Sequence, residues 1–281
     1  MNGIDLFIIE IFFAAIAAGL IGSLVGLGGG VLIVPLLTIA FGLDIRLAIG
    51  ASIVSVIATS SGAAAAYVRD HLTNVRVGMT LELATSIGAV TGAFVAAYLN
   101  ARVLFILFGA ILILSVLPTV KKLGENVPTD VSNDRISSRL KLASTYPDRA
   151  SGGVVSYNVT KVPLGFGMMY IAGVVSGLLG IGSGALKVLA MDTAMRLPMK
   201  VSSATSNFMI GVTAAASAGI YFWRGDVVPV IAAPVALGVL VGAMVGAKLL
   251  IRFQNTTVRK IFLPVLAAVA IEMFLRGIGV V

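Results

Sequence analysis

A run without a charged residue covers positions 11–43, and it is interrupted near its middle by Gly26, Gly28, Gly29 and Gly30 in the stretch SLVGLGGGVLIVP. About 20 apolar residues cross a hydrocarbon core as a helix, so the run is too long for one crossing. Glycine weakens a continuous helix and tolerates backbone geometries that other residues avoid. The run therefore reads as a helix that stops inside a membrane, followed by a second, shorter one over 31–41.

The same character extends along the chain. Charged residues make up 11% of the 281 positions and hydrophobic ones 58%, with a mean hydropathy of +1.06. Soluble domains carry roughly a quarter charged residues, which excludes that class. No Lys or Arg precedes Arg46, so the basic start of a signal peptide is missing. Cysteine is absent and His71 is the only histidine, which leaves no thiolate metal site and little scope for a histidine one. The net charge of +8 is read by the side on which it falls, with no nucleic-acid partner expected.

Spans follow at 45–68, 77–99 and 103–120, then at 199–223, 227–250 and 257–274. Each is taken as a helix, since the short alternating strands of a barrel are missing. Two glycine-broken regions remain, 5–42 and 163–196. Setting 22–37 (GSLVGLGGGVLIVPLL) over 176–191 (SGLLGIGSGALKVLAM) brings Gly26, Gly28 and Gly30 onto Gly180, Gly182 and Gly184 at a constant offset of 154. The register continues through Arg46 and Lys200, Ser52 and Ser206, Thr59 and Thr213, and Tyr67 and Tyr221. After a small slip, SIGAVTGAFVAAYL at 86–99 matches ALGVLVGAMVGAKL at 236–249. The chain thus reads as two membrane repeats, 1–120 and 163–281, joined by a polar segment, 121–162. That segment reads as a solvated linker, with a regulatory role as the alternative.

Charge sets the expected topology. If each broken region is a hairpin that enters and leaves on one side, the second repeat is upside down relative to the first. Arg69, Arg76, the Lys and Arg residues of the linker, Arg196, Lys200, Lys248, Arg252, Arg259 and Lys260 then share a side, against only Arg46, Arg102, Arg224 and Arg276 on the other. Cytoplasmic loops favour Lys and Arg. The expected fold is an all-α integral membrane protein of two inverted repeats, each a glycine-broken helical hairpin plus three transmembrane helices. Both termini fall outside, the linker is cytoplasmic, and the cell membrane is the expected location.

Paired broken helices in inverted halves point to a substrate site near the bilayer midplane, where half-helix N-termini suit an anion. Tight helix packing is the alternative for these glycines, and the preferred reading for Gly88/Gly92 and Gly238/Gly242. Lys187 is the one Lys or Arg that this topology leaves inside the membrane, about 12 Å from the nearer helix end at 1.5 Å per residue. Intramembrane charge is costly and usually functional, the alternative being a lysine that snorkels to the interface. Thr205, Ser206 and Asn207 are placed to donate hydrogen bonds to an oxyanion at that level, or simply to join helices. Ser52 is the first-half counterpart of Ser206. Glu10, Glu82 and Glu272 fall within about two turns of predicted helix ends and read as interfacial anchors, with proton relay as the other role. The expected binding residues are Gly28, Gly29, Gly30, Ser52, Gly182, Ser183, Gly184, Lys187, Thr205, Ser206 and Asn207.

No dinucleotide fingerprint, phosphate loop or Ser–His–Asp set can be assembled, so neither an enzyme nor a cofactor is expected. GLGGGVLIVPLL and GIGSGALKVLAM, the latter followed by LPMKVSSATSNFMIG, resemble the sulfite exporter TauE/SafE permeases along essentially the whole chain. The resemblance implies transport of a small anion such as sulfite, a sulfonate, thiosulfate or an organic acid. It carries over to Gly26, Gly28, Gly29, Gly30, Pro35, Gly180, Gly182, Gly184 and Lys187. Ser183 stands where the second motif would keep glycine, and Leu189 where the first has Pro35. The preferred mechanism is a secondary carrier, ion-coupled through a proton or sodium, that works by alternating access. A passive anion channel and a non-transporting subunit that docks a partner are the alternatives. The bilayer is the constant partner, and a homodimer is compatible with the sequence.

Overall fold

The computed structural model describes residues 3–25, 30–120, 131–148, 153–250 and 255–280. Apolar runs become helices because nothing else satisfies the backbone without water. In chain order they are α1 (Gly3–Val25), α2 (Gly30–Pro35), α3 (Ile45–Arg69), α4 (Val75–Tyr98) and α5 (Ala101–Val120). After the joining segment come α7 (Val162–Leu179), α8 (Gly184–Leu189), α9 (Met199–Trp223), α10 (Pro229–Leu250) and α11 (Asn255–Ile278). The joint itself contains α6 (Arg135–Arg139) and an antiparallel hairpin of β1 (Ser144–Asp148) and β2 (Gly153–Tyr157). Windows within α1, α4 and α7 are long and apolar enough to cross a membrane. The outward face of α4 presents Met79, Leu83, Ile87 and Phe94. Among the described residues the fold is all-α apart from that hairpin, as befits an integral membrane protein.

Local geometry repeats at the sequence offset. The short α2 runs on into a wide π turn at Leu36–Ala40, and α8 into one at Ala190–Ala194. Gly42 and Arg196, two residues beyond each turn, both take positive φ, 63° and 59°. Each broken region folds back on itself. Phe7 near the start of α1 meets Phe41 at the end of the first return arm, ring centroids 5.8 Å apart. Met195 at the end of the second return arm accepts a hydrogen bond from Thr160 N and lies against Gly165 of α7. The entering arms are longer than half-helices, 23 residues in α1 and 18 in α7. They run past the middle of the bundle because each packs lengthwise on a full helix of the other half.

Those lengthwise pairs are made by glycine. Gly88 and Gly92 of α4 abut Tyr170, Val174 and Leu178 of α7, while Gly173 and Gly177 of α7 abut Thr85 and Ala89 in return. Gly238 and Gly242 of α10 abut Phe12, Ile16 and Leu20 of α1 in the same way. In both pairs the residue numbers rise together, so the helices run in the same direction. By contrast α5 and α11 run oppositely, Gly109 meeting Ala270 and Phe274 while Gly277 meets Ile106 and Arg102. Missing side chains let backbones approach, which is the source of attraction between helices in lipid.

Arg46, Arg102, Arg224 and Arg276 collect at one end of the bundle. Arg276 donates to Thr38 O, Arg46 to Leu99 O, and Arg224 pairs with Asp226 at 3.0 Å. Gly50, near the start of α3, touches Asp226. The other end carries the joining segment, and here the expectation of a solvated linker is corrected. Leu142, Tyr146, Tyr157 and Val159 are buried in one cluster with Val77 and Leu81 of α4 and with Met191, Met195 and Leu197.

Asn74 locks this cap. Its side-chain oxygen accepts from Val77 N, its amide donates to Leu142 O and to the Tyr157 hydroxyl, both at 2.8 Å, and its own N donates to Thr205 Oγ1. Replacing Asn74 by Ala removes a helix cap and strands a buried carbonyl, at a cost of about 2–3 kcal/mol. Limited trypsinolysis of the purified protein is then expected to cut faster at Arg135, Arg139 and Lys141. An unchanged cleavage rate would mean that the hairpin is held without Asn74.

Candidate functional site

The tip of the second hairpin and Gly30, at the start of α2, meet between α3 and α9. Gly182 sits against Val56 and Ile210, which lie near the middles of those helices. Gly180 and Gly182 hold φ of 66° and 71°, and Ser183 holds 46°. Only a left-handed step turns the chain from α7 back into α8 within so few residues, which explains the glycines. Gly30, on the other tip, lies within van der Waals reach of Val56, Ser52 and Gly180.

Equivalent serines pin the tips. Ser52 Oγ reaches Gly30 O at 3.2 Å, and Ser206 Oγ reaches Gly184 O at 3.1 Å. Ser52 also reaches Gly180 O at 2.8 Å, which joins the second tip to the first half of the chain. A hydroxyl has one hydrogen, so Ser52 donates to one carbonyl at a time. Tyr221 closes the far side of α7 by donating to Gly177 O at 2.7 Å.

Lys187 stands one turn into α8 and is fully buried. Its side chain does not snorkel toward the near end of the bundle. It turns inward, and Nζ donates to Thr213 Oγ1 at 2.6 Å. Thr213 is near the midpoint of the 25-residue α9, about 20 Å along from Met199. The same hydroxyl lies 2.8 Å from Glu82 Oε1 and 2.8 Å from Met209 O. Ser86 donates to Glu82 Oε1 at 2.9 Å, whereas Glu82 Oε2 is buried with no hydrogen-bond partner.

Glu82 was not expected here. Counting turns from the start of α4 gives an interfacial anchor, yet Glu82 is only 7% exposed and faces α9. The count misleads because α4 itself starts below the surface. Asn74, its cap, is buried under Leu142 and Tyr157. A carboxylate at helical spacing from Ser86 (i, i+4) was the available signal.

The structure brings Gly30, Ser52, Gly182, Gly184 and Ser206 together at the tips, with Lys187 one turn away. It does not bring Thr205 and Asn207 there. Thr205 Oγ1 is engaged by Asn74 N, and the Asn207 amide donates to Ser203 O within α9. Ser183 lies at the tip but its hydroxyl is committed to Ala172 O at 2.6 Å. Gly28 and Gly29 lie outside the described residues.

Helices long enough to span a bilayer and a fully buried cation among them are the features of a membrane transporter. The chain belongs to the sulfite exporter TauE/SafE family, whose model matches residues 11–273. It is 28% identical over 268 residues to the probable membrane transporter protein YunE of Bacillus subtilis (strain 168), covering 93% of this chain and 95% of that one. The probable membrane transporter protein YdhB of the same organism is 26% identical, over 86% of this chain and 89% of its own length. The probable membrane transporter protein ORF9 of Sinorhizobium sp is 24% identical, over 95% and 90%. No solved structure matches.

Proposed function

We propose that the protein is a secondary transporter of a small sulfur-containing or organic anion, of the sulfite, sulfonate or thiosulfate class. The anion sits between the hairpin tips, and the two halves rock around it by alternating access. One observation carries this reading: a fully buried ammonium, Lys187, adjoins the place where the glycine-turned second tip meets Gly30 near the middle of the bundle. The first turn of a helix offers unpaired N–H groups, and Lys187 supplies the full positive charge that an anion requires in low dielectric. Gly30, Ser52, Gly182, Gly184 and Ser206 shape the site.

The same-direction pairs α1 with α10 and α4 with α7 support inverted repeats, because an inverted second half aligns these helices. The four arginines at one end support placing that end, with both termini, outside the cell, and the joining segment in the cytoplasm.

The test is a screen in liposomes containing purified protein, offering labelled sulfite, thiosulfate, sulfoacetate, taurine, sulfate and lactate. Saturable uptake of one anion is expected, accelerated when the unlabelled anion is loaded inside. Saturable flux without such exchange would replace the carrier by a channel. No flux of any anion would overturn the reading.

A further inference from the structure

We propose that Glu82 is the proton-binding residue of this transporter, and that one proton enters the site with each anion. The inference rests on the reading of the tips as an anion site and adds the coupling ion to it.

Thr213 stands between the two charged groups, its hydroxyl within hydrogen-bond distance of Lys187 Nζ, Glu82 Oε1 and Met209 O. A hydroxyl donates one hydrogen bond and accepts two. With Glu82 ionised, Thr213 accepts from Lys187 and donates to Glu82. With a proton on Glu82 Oε1, Thr213 accepts from both Lys187 and Glu82 and turns its own hydrogen to Met209 O. Both states are satisfied without moving a helix. The proton adds to the carboxylate to give a carboxylic acid; no other bond forms or breaks.

Charge balance selects the direction of coupling. The empty site holds an ammonium and a carboxylate, and is neutral. A monovalent anion arriving alone would leave a net negative charge in low dielectric, which is costly. Arrival of an anion together with a proton keeps the site neutral, because Lys187 passes from Glu82 to the anion as Glu82 is discharged. The buried, unpartnered Glu82 Oε2 points the same way, since an uncharged oxygen is cheaper to leave unpaired than a charged one. A sodium ion in place of the proton would have to sit beside the Lys187 ammonium, whereas a proton on Glu82 does not add a second cation there.

Among the described residues, the elements packed around Glu82 bring no charged group to it besides Lys187. From α8 Lys187 faces Glu82, and α7 contributes only Tyr170 as a titratable residue, part exposed. On α9 the titratable residues are Lys200 and Tyr221, toward its two ends, and Glu82's own helix holds Arg76, hydrogen-bonded to Lys141 O of the cap, and Tyr98.

Calorimetry of purified full-length protein, in buffers of different ionisation enthalpy, reads both anion binding and the protons taken up with it. Methanesulfonate and lactate are the probes, since both are monovalent and neither titrates between pH 6 and about 8. The expected result is uptake of about one proton per bound anion in the wild type, with affinity falling by up to about tenfold per pH unit on the alkaline side. For Glu82→Gln the proton uptake falls to near zero and the affinity becomes flat with pH. Wild-type binding without proton uptake overturns the assignment and leaves the anion site standing. Proton uptake that persists in Glu82→Gln overturns it as well. If that variant binds no probe, Glu82→Asp decides: retained uptake with a displaced pH profile supports the assignment, and binding without uptake overturns it. A wild type that binds none of the probes overturns the anion site and this inference together.

Discussion

Lys187→Met is expected to abolish anion transport and also to destabilise the protein, and a second substitution separates the two effects. Methionine matches the length of the lysine stem but leaves Glu82 buried without its cation. Removing one member of a buried charge pair costs about 3–5 kcal/mol. A charged hydrogen bond to the anion would be lost as well, worth about 1.5–3 kcal/mol, or roughly 10- to 150-fold in affinity. The double variant Lys187→Met/Glu82→Gln removes the orphaned carboxylate, so most of the lost thermal stability should return. Transport should not return, because no cation faces the tips. Melting in detergent and exchange in liposomes, measured on the wild type and both variants, check this. If the double variant regains both stability and exchange, the lysine serves only to neutralise Glu82, and the anion is held by the tips alone.

The helices were legible because the bilayer imposes one length scale and one way of satisfying the backbone. The span expected at 199–223 is α9 to the residue, and the others differ from their helices by a few residues at most. The two breaks were legible because the glycines recur at a fixed offset, and that offset governs the wide turns and the positive φ that follows them. What stayed hidden depends on neighbours distant in the chain. Residues 121–162 look polar, yet STYPD and GVVSY alternate enough to pair as strands and bury Tyr146 and Tyr157. Because that cap covers the start of α4, Glu82 lies deeper than its distance from the helix end suggests. Thr205 and Asn207 share a helix with Thr213, but the inward path of Lys187 selects Thr213, which the sequence reading matched to Thr59 only as a repeat position.

The glycine at the second tip is open to a direct comparison with one on an exposed helix face elsewhere in the bundle. Gly180→Val should be among the most damaging single substitutions outside the charged pair. Gly180 has φ +66°, and a Cβ there would come within 2.9 Å of both the Ile49 carbonyl oxygen and Ile49 Cγ2, and within 3.2 Å of Ile53 Cγ1. A left-handed conformation costs an ordinary residue about 1–2 kcal/mol, and β-branching makes it worse. The overlap with a backbone carbonyl adds about 1–3 kcal/mol, because that carbonyl belongs to a packed helix and has nowhere to go. Displacement of Gly180 would also break its contact with Ser52, the hydrogen bond that ties the second tip to the first half. Gly219, in the exposed face of α9, has nothing within 4 Å of its Cβ position. Valine there should change stability by only a few tenths of a kcal/mol. Thermal melting should therefore separate the two variants clearly, with exchange reduced more than about tenfold in Gly180→Val, a barrier change above about 1.4 kcal/mol. Equal behaviour of the two would mean that the approach of Gly180 to α3 does not set the geometry of the site, and that a tip with freedom to move carries the anion instead.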